Sequence, residues 1–212
     1  MTASSSGGGS RQWSWASSES EAEARRLDAS QLVGSRIRAV HYINIDYRRY
    51  ELQSESVEAG PRAIVADAEW ADPTWLFDGF DAVDYGFEIT TDLGKPFSVT
   101  WDPPGDREGI GMQPVPLLGS GVRSDADVAI WDLTGRHSAW TRLVGKKVTD
   151  VVLHYVPWLE GEEGLWCPRI TIHCGEVHVE VLLGDAKSGA LVLSADNVAV
   201  LHPDTPLPQW TS

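Results

Sequence analysis

Ile170-Thr171-Ile172-His173-Cys174-Gly175-Glu176-Val177-His178-Val179-Glu180-Val181 is the stretch from which the fold is read. With Gly175-Glu176 as a two-residue turn, Cys174 faces Val177, His173 faces His178, Ile172 faces Val179 and Thr171 faces Glu180. Side chains alternate across a strand. Ile170, Ile172, Cys174, Val177, Val179 and Val181 therefore share one face, and Thr171, His173, His178 and Glu180 the other. The spacing predicts an antiparallel hairpin with one buried side. The stretch from Ile89 to Trp101 repeats the plan around a three-residue turn, with Ile89, Thr91, Leu93, Phe97, Val99 and Trp101 on its buried face.

The two hairpins sit inside a larger repeat. Leu32-Val33-Gly34-Ser35-Arg36-Ile37 returns as Leu143-Val144-Gly145-Lys146-Lys147-Val148. Each copy reads as one helical turn, capped by Asp28 or Ser138 and closed at the glycine, before a strand begins. Gly34 and Gly145 are 111 residues apart, whereas the hairpin glycines Gly94 and Gly175 are 81 apart. The first copy thus carries 30 extra residues, between Tyr47 and Gly86.

A mainly β fold follows: two related antiparallel β units, from an internal duplication, packed as a sandwich or barrel-like body with short helical turns. The units are expected at 28–124 and 125–212, after a flexible Ser/Gly-rich tail, 1–27, that holds a short charged helix from Ser18. Trp13 and Trp15 in that tail either dock back on the fold, which is the expectation, or mark a partner-binding segment. Val128-Ala129-Ile130-Trp131 reads as a short strand, and Ala190 to Leu201 as a further hairpin turning at Ala195-Asp196-Asn197.

Composition bounds the function. There are 31 acidic and 17 basic residues, a net charge of −14. That balance speaks against binding nucleic acid through its phosphates. It fits either simple solubility or a partner with a basic surface. No apolar run approaches the roughly 20 residues of a membrane span, so no membrane segment is expected. Cys167 and Cys174 are too few for a disulfide scaffold, which fits a reducing cytoplasm.

The long connection of the first copy is the richest stretch. Between Glu69 and Tyr85 it interleaves Trp70, Trp75, Phe77 and Phe80 with Asp78, Asp81 and Asp84. Rings among carboxylates suit the surface of a basic partner, because aromatic anchors dominate interface energetics. The competing reading has the rings plugging the end of a sheet while the carboxylates face water. Arg48-Arg49, between Tyr47 and Tyr50, is expected to pair with acidic groups rather than to bind a free anion.

Catalytic signals are weak. Cys174 lies on the hairpin face opposite His173, so Cys167, His173, Cys174 and His178 cannot converge as a tetrahedral zinc set. His173, His178 and Glu180 do share a face, where a solvated polar pair is the expectation, and no metal or cofactor is assigned. No nucleophile elbow, phosphate-binding loop or dinucleotide fingerprint is present. His41, His137, His154 and His202 lie apart without a motif.

Charge, hairpin pattern and missing catalytic motifs are similar in kind to small bacterial immunity and inhibitor proteins. The expectation is a non-enzymatic acidic binding protein for a basic protein, with Trp70, Trp75, Phe77, Asp78, Phe80, Asp81 and Asp84 as its contact. The alternative is a small-molecule-binding or enzymatic β protein with a site between the units, lined by Trp101, Trp131, Trp140 and Trp166.

Overall fold

The computed structural model describes residues 11–52, 59–102, 108–136, 138–158 and 163–209. In chain order the elements are α1 (Glu19–Ser30), β1 (Ile37–Ile45), α2 (Tyr47–Leu52), β2 (Arg62–Ala63), α3 (Asp67–Trp70), β3 (Leu76–Phe77), β4 (Phe80–Val83), β5 (Gly86–Thr91), β6 (Pro96–Trp101), β7 (Ile110–Gln113), β8 (Val128–Asp132), β9 (Asp150–Leu153), β10 (Val156–Pro157), β11 (Leu165–Trp166), β12 (Arg169–Cys174), β13 (Val177–Lys187) and β14 (Ala190–Leu201). The protein is mainly β. One sheet runs β2-β8-β1-β5-β6-β7 and the other β3-β4-β14-β13-β12-β9, with β10-β11 a separate ribbon. Both sheets are open, and they pack on a core they share, in the manner of a sandwich. Among the described residues no helix is long and apolar enough to cross a membrane.

The hairpin β12–β13 has the register its alternation predicts, from Cys174 opposite Val177 to Thr171 opposite Glu180. Ile170, Ile172, Cys174, Val179 and Val181 are buried, and Val177 is half-buried. Hairpin β5–β6 buries Ile89, Thr91, Phe97 and Val99, but Leu93 is 84% exposed. The alternation ends at Thr91, whose N–H donates to the Lys95 carbonyl. Leu93 rides on the turn this bond closes. A second correction concerns β14, which is one continuous strand paired with β13 rather than a hairpin of its own. Its turn is Ser188-Gly189, both at positive φ, and Asp196-Asn197 fall where the pairing register shifts at Leu183/Gly184.

The duplicated L-V-G motifs meet. Gly34 N–H donates to the Val148 carbonyl at 2.9 Å, and Gly145 N–H donates to the Ile37 carbonyl at 2.8 Å. Ile37 N–H reaches the Lys146 carbonyl and Val148 N–H the Ser35 carbonyl. Adding 111 to the first-copy residue of a bond and subtracting 111 from its second-copy partner gives the counterpart bond, so these four bonds obey a local twofold axis through the Arg36–Lys147 bridge. From this point each copy forms a four-stranded meander, β1-β5-β6-β7 and β9-β12-β13-β14. Each sheet is then extended by strands from the other half of the chain. β8, at the start of 125–212, pairs with β1, and β4, from the long connection, pairs with β14.

Residues 11–17, expected in a flexible tail, are docked; residues 1–10 lie outside the described residues. Gln12 and Gln113 exchange hydrogen bonds, Ser14 and Trp15 N–H groups donate to Asp102, and Ala16 pairs with Leu165. The Asp102 carboxylate supplies acceptors that a free Ser/Gly tail would lack. α1 is one helix from Glu19 through Ser30, with Ser18 as its cap and Asp28 inside its last turn rather than a cap. It lies against β7 and β9, the edge strands on one side of both sheets, and buries Ala22 and Ala29 there.

Candidate functional site

The long connection splits into a buried part and an exposed part. β4 is inserted beside β14, and all four of its residues are buried. Trp75 meets Tyr42 edge-on with ring centroids 5.1 Å apart and Trp131 at 5.8 Å; Trp70, half-buried, meets Trp131 at 5.0 Å beneath the Arg136 guanidinium. Phe80 stacks on half-buried Phe77 within a second apolar cluster on the other face of the sheet. Trp75, Phe80 and Asp81 are therefore corrected from contact residues to interior ones. Asp67, Asp72, Leu76 and Asp78 remain exposed, and Phe77 and Asp84 are partly exposed.

Asp81 has no solvent exposure, and its partners explain why a carboxylate is tolerated there. Tyr42 O–H donates to Oδ2 at 2.7 Å, and His202 Nε2 lies 2.7 Å from Oδ1. Trp140 Nε1–H donates in turn to the Tyr42 oxygen. Burial first, then the Asp81 charge, raises the Tyr42 pKa well above the ordinary tyrosine range. This chain ties the two sheets together, because Tyr42 belongs to one and Asp81 to the other. His202 also opens on a cavity of about 310 Å³ lined with Leu76, Ser138, Thr141 and Arg142.

The remaining acids of this region divide in the same way. Arg62 grips Asp46 and Glu69 with two hydrogen bonds each, and Arg49 bonds Asp127 and the Gly60 carbonyl. Arg48 reaches the Asp72 carbonyl. The Arg48-Arg49 pair is thus engaged with acidic or carbonyl oxygens, and Arg62 is the cation that neutralises the connection's own Glu69.

At the end of the connection a cleft of about 410 Å³ opens between Trp13, Tyr85 and Trp101, with Arg11, Gln12, Thr100, Asp102, Ser120 and Gly121 completing it. Trp101 Nε1–H donates to the Asp84 carbonyl and Thr100 O–H to the Tyr85 carbonyl, so β6 positions both walls. Burial raises the Asp84 and Asp102 carboxyls above the usual carboxylate range; hydrogen bonds to Ile45 N–H and Tyr47 O–H, and to Ser14 and Trp15, only partly oppose it. Asp185 adds like charge against Asp84, and burial followed by Asp196 raises Glu108. Four tryptophans were expected to share a pocket. Only Trp101 lines this cleft: Trp131 and Trp140 are in the core, and Trp166 packs edge-on against Trp158. The sequence signal for the cleft was Trp13, an aromatic residue in an otherwise Ser/Gly-rich segment.

The polar face of β12–β13 forms a separate network. Its His173 and His178 rings lie 5.5 Å apart, and His178 Nε2 is 3.8 Å from Glu180. Glu180 accepts from Thr171 O–H, and Thr171 Oγ is 2.8 Å from His154 Nε2. Among the described residues no three His, Cys, Asp or Glu side chains are placed to hold a metal. Cys167 and Cys174 are buried free thiols, and burial pushes Cys167 up to about 12. His137 lies outside the described residues. No family model, curated protein or solved structure matches this chain.

Proposed function

We propose that this chain is an acidic, non-enzymatic binding protein of the cytoplasm that covers a basic surface on another protein, in the manner of an immunity or inhibitor protein. One observation carries the reading. No Lys or Arg occurs from Ile64 to Gly94, and within that span Asp67, Asp72 and Asp78 stand exposed, as does Leu76, with Arg48 reaching in only as far as the Asp72 carbonyl. Clustered like charge at a surface raises association rates with an oppositely charged partner, and a central apolar contact holds the complex once formed. Two unpaired buried thiols are compatible with a reducing compartment.

The test is capture from the source lysate by the whole chain and by its Asp72→Lys/Asp78→Lys variant. Both positions are exposed, so the fold should be preserved, which circular dichroism checks. The expected outcome is one basic protein retained at low salt, released at high salt and retained at least about tenfold less by the variant. Equal, salt-insensitive retention by both chains would sink the proposal. A second reading, a small-molecule site between the sheets, is favoured by the His202–Asp81 pair beside the Ser138–Arg142 cavity.

A further inference from the structure

We infer that the cleft between Trp13, Tyr85 and Trp101 is a slot for a cationic side chain, an arginine or lysine that anchors the basic partner. The inference rests on the proposed binding reading and names where on the chain the anchor goes. Three observations support it.

The first is shape. The cleft, about 410 Å³, exceeds what one arginine side chain needs, and its lining comes from four separate segments of the chain, 11–13, 85, 100–102 and 120–121. The second is the chemistry of the walls. Aromatic faces carry negative potential, and a cation lying over one within about 6 Å is attracted to it, more strongly as water is excluded. Trp13, 55% exposed, is the open wall. It does not hang free: Arg25 from α1 donates to its carbonyl, and Ser14, beside it, is bound to Asp102.

The third observation is the surrounding charge. Asp102 lines the cleft, Asp84 precedes Tyr85, and Asp185 acts electrostatically on Asp84. Glu108 lies next to Gly109, whose carbonyl accepts the Asp102 N–H, and Asp196 acts on Glu108. Of these five carboxylates Asp102 lines the cleft itself, and the other four are linked to it or to its walls one neighbour at a time. Against these five stand Arg11, which also lines the cleft and acts electrostatically on Asp102, and Arg25, both held by hydrogen bonds. Arg11 donates to Ser98 Oγ and the Gly111 carbonyl, and Arg25 to the Trp13 carbonyl and Gln12. Charge complementarity therefore selects a cation as the occupant. An acidic or phosphorylated group would meet the five carboxylates instead.

The experiment titrates the full chain with an acetylated, amidated hexa-arginine peptide at low salt and follows the indole N–H resonances of Trp13 and Trp101. Saturable shifts of both are expected, with hexa-glutamate giving none. Trp13→Ala should weaken the peptide about three- to tenfold, and Trp13→Phe should recover part of the loss. Asp72→Lys/Asp78→Lys should leave the Trp13 and Trp101 shifts in place. Two outcomes overturn the slot: no saturable shift at Trp13 and Trp101, or peptide binding that Trp13→Ala leaves unchanged. Binding lost in the Asp72/Asp78 variant but not in Trp13→Ala would move the anchor to the exposed connection and keep the acidic reading. A filled slot with salt-insensitive capture from lysate would do the reverse, so the two claims fail separately.

Discussion

Among the carboxylates of the long connection, identical side chains have opposite fates. Asp78 faces water, and Asp81, three residues on, is fully buried against Tyr42 and His202, which lie 39 and 121 residues away in the chain. Nothing local distinguishes the two aspartates, which is why residues 69–85 read as one uniform surface in the sequence. His154 shows how a distant partner sets a protonation state. Arg169, which can only donate, lies 2.8 Å from His154 Nδ1, so that nitrogen accepts and the ring is neutral with its proton on Nε2. Burial, then the Arg169 and His173 charges, lowers the His154 pKa. The unfolded chain takes up this proton below about pH 6.5, whereas the fold resists it, so stability should fall as the pH drops below that value. Asp84 and Asp102, raised by burial, act with the opposite sign at lower pH. The urea midpoint of the wild type should therefore drop between pH 7.5 and pH 5.5, and His154→Gln should flatten the drop. An equal drop in both chains would contradict this assignment of the proton.

At the scale of elements, what depended on neighbours in sequence was legible and what depended on distant pairing was not. Alternation gave the β12–β13 register residue by residue, because a two-residue turn and a buried face admit few alternatives. The exchange of β4 and β8 between sheets left no local trace, since a strand's pattern does not say which edge it joins. The docked segment 11–17 was hidden for a related reason: its binding site is made from glycines elsewhere. A Cβ at Gly111 would lie 2.8 Å from Ser14 Cβ, and one at Gly164 would lie 2.1 Å from the Trp15 ring. Gly111 has an ordinary backbone conformation, so Gly111→Ala tests the contact alone. It should loosen residues 11–17, raising their amide exchange about tenfold while β12–β13 stays protected. Unchanged exchange in that segment would show that the close approach does not hold it.

At the scale of the molecule, the twofold contact between the L-V-G motifs organises two meanders, and the inserted connection breaks their equivalence. Among the described residues the second copy carries no counterpart of α2, β2, α3, β3 and β4, so the two copies are alike at their centre and differ in the longer connection of the first. The inserted stretch carries Asp67, Asp72 and Asp78 with Leu76 and Phe77 near the β2 and β3 edges, and only its end, Tyr85, lines the cleft with the docked residues 11–13. Net charge was legible from composition, but its placement required the fold. The central claim is that the basic partner is bound by the inserted connection and by the cleft that Tyr85, at its end, helps to line. Amide hydrogen exchange of the whole chain, alone and bound to the basic protein it captures, tests this most directly. The account predicts new protection at residues 67–85 and 11–13, with the outer face of β9, β12 and β13 unchanged. Protection confined to that outer face, with 67–85 exchanging as in the free chain, would contradict it.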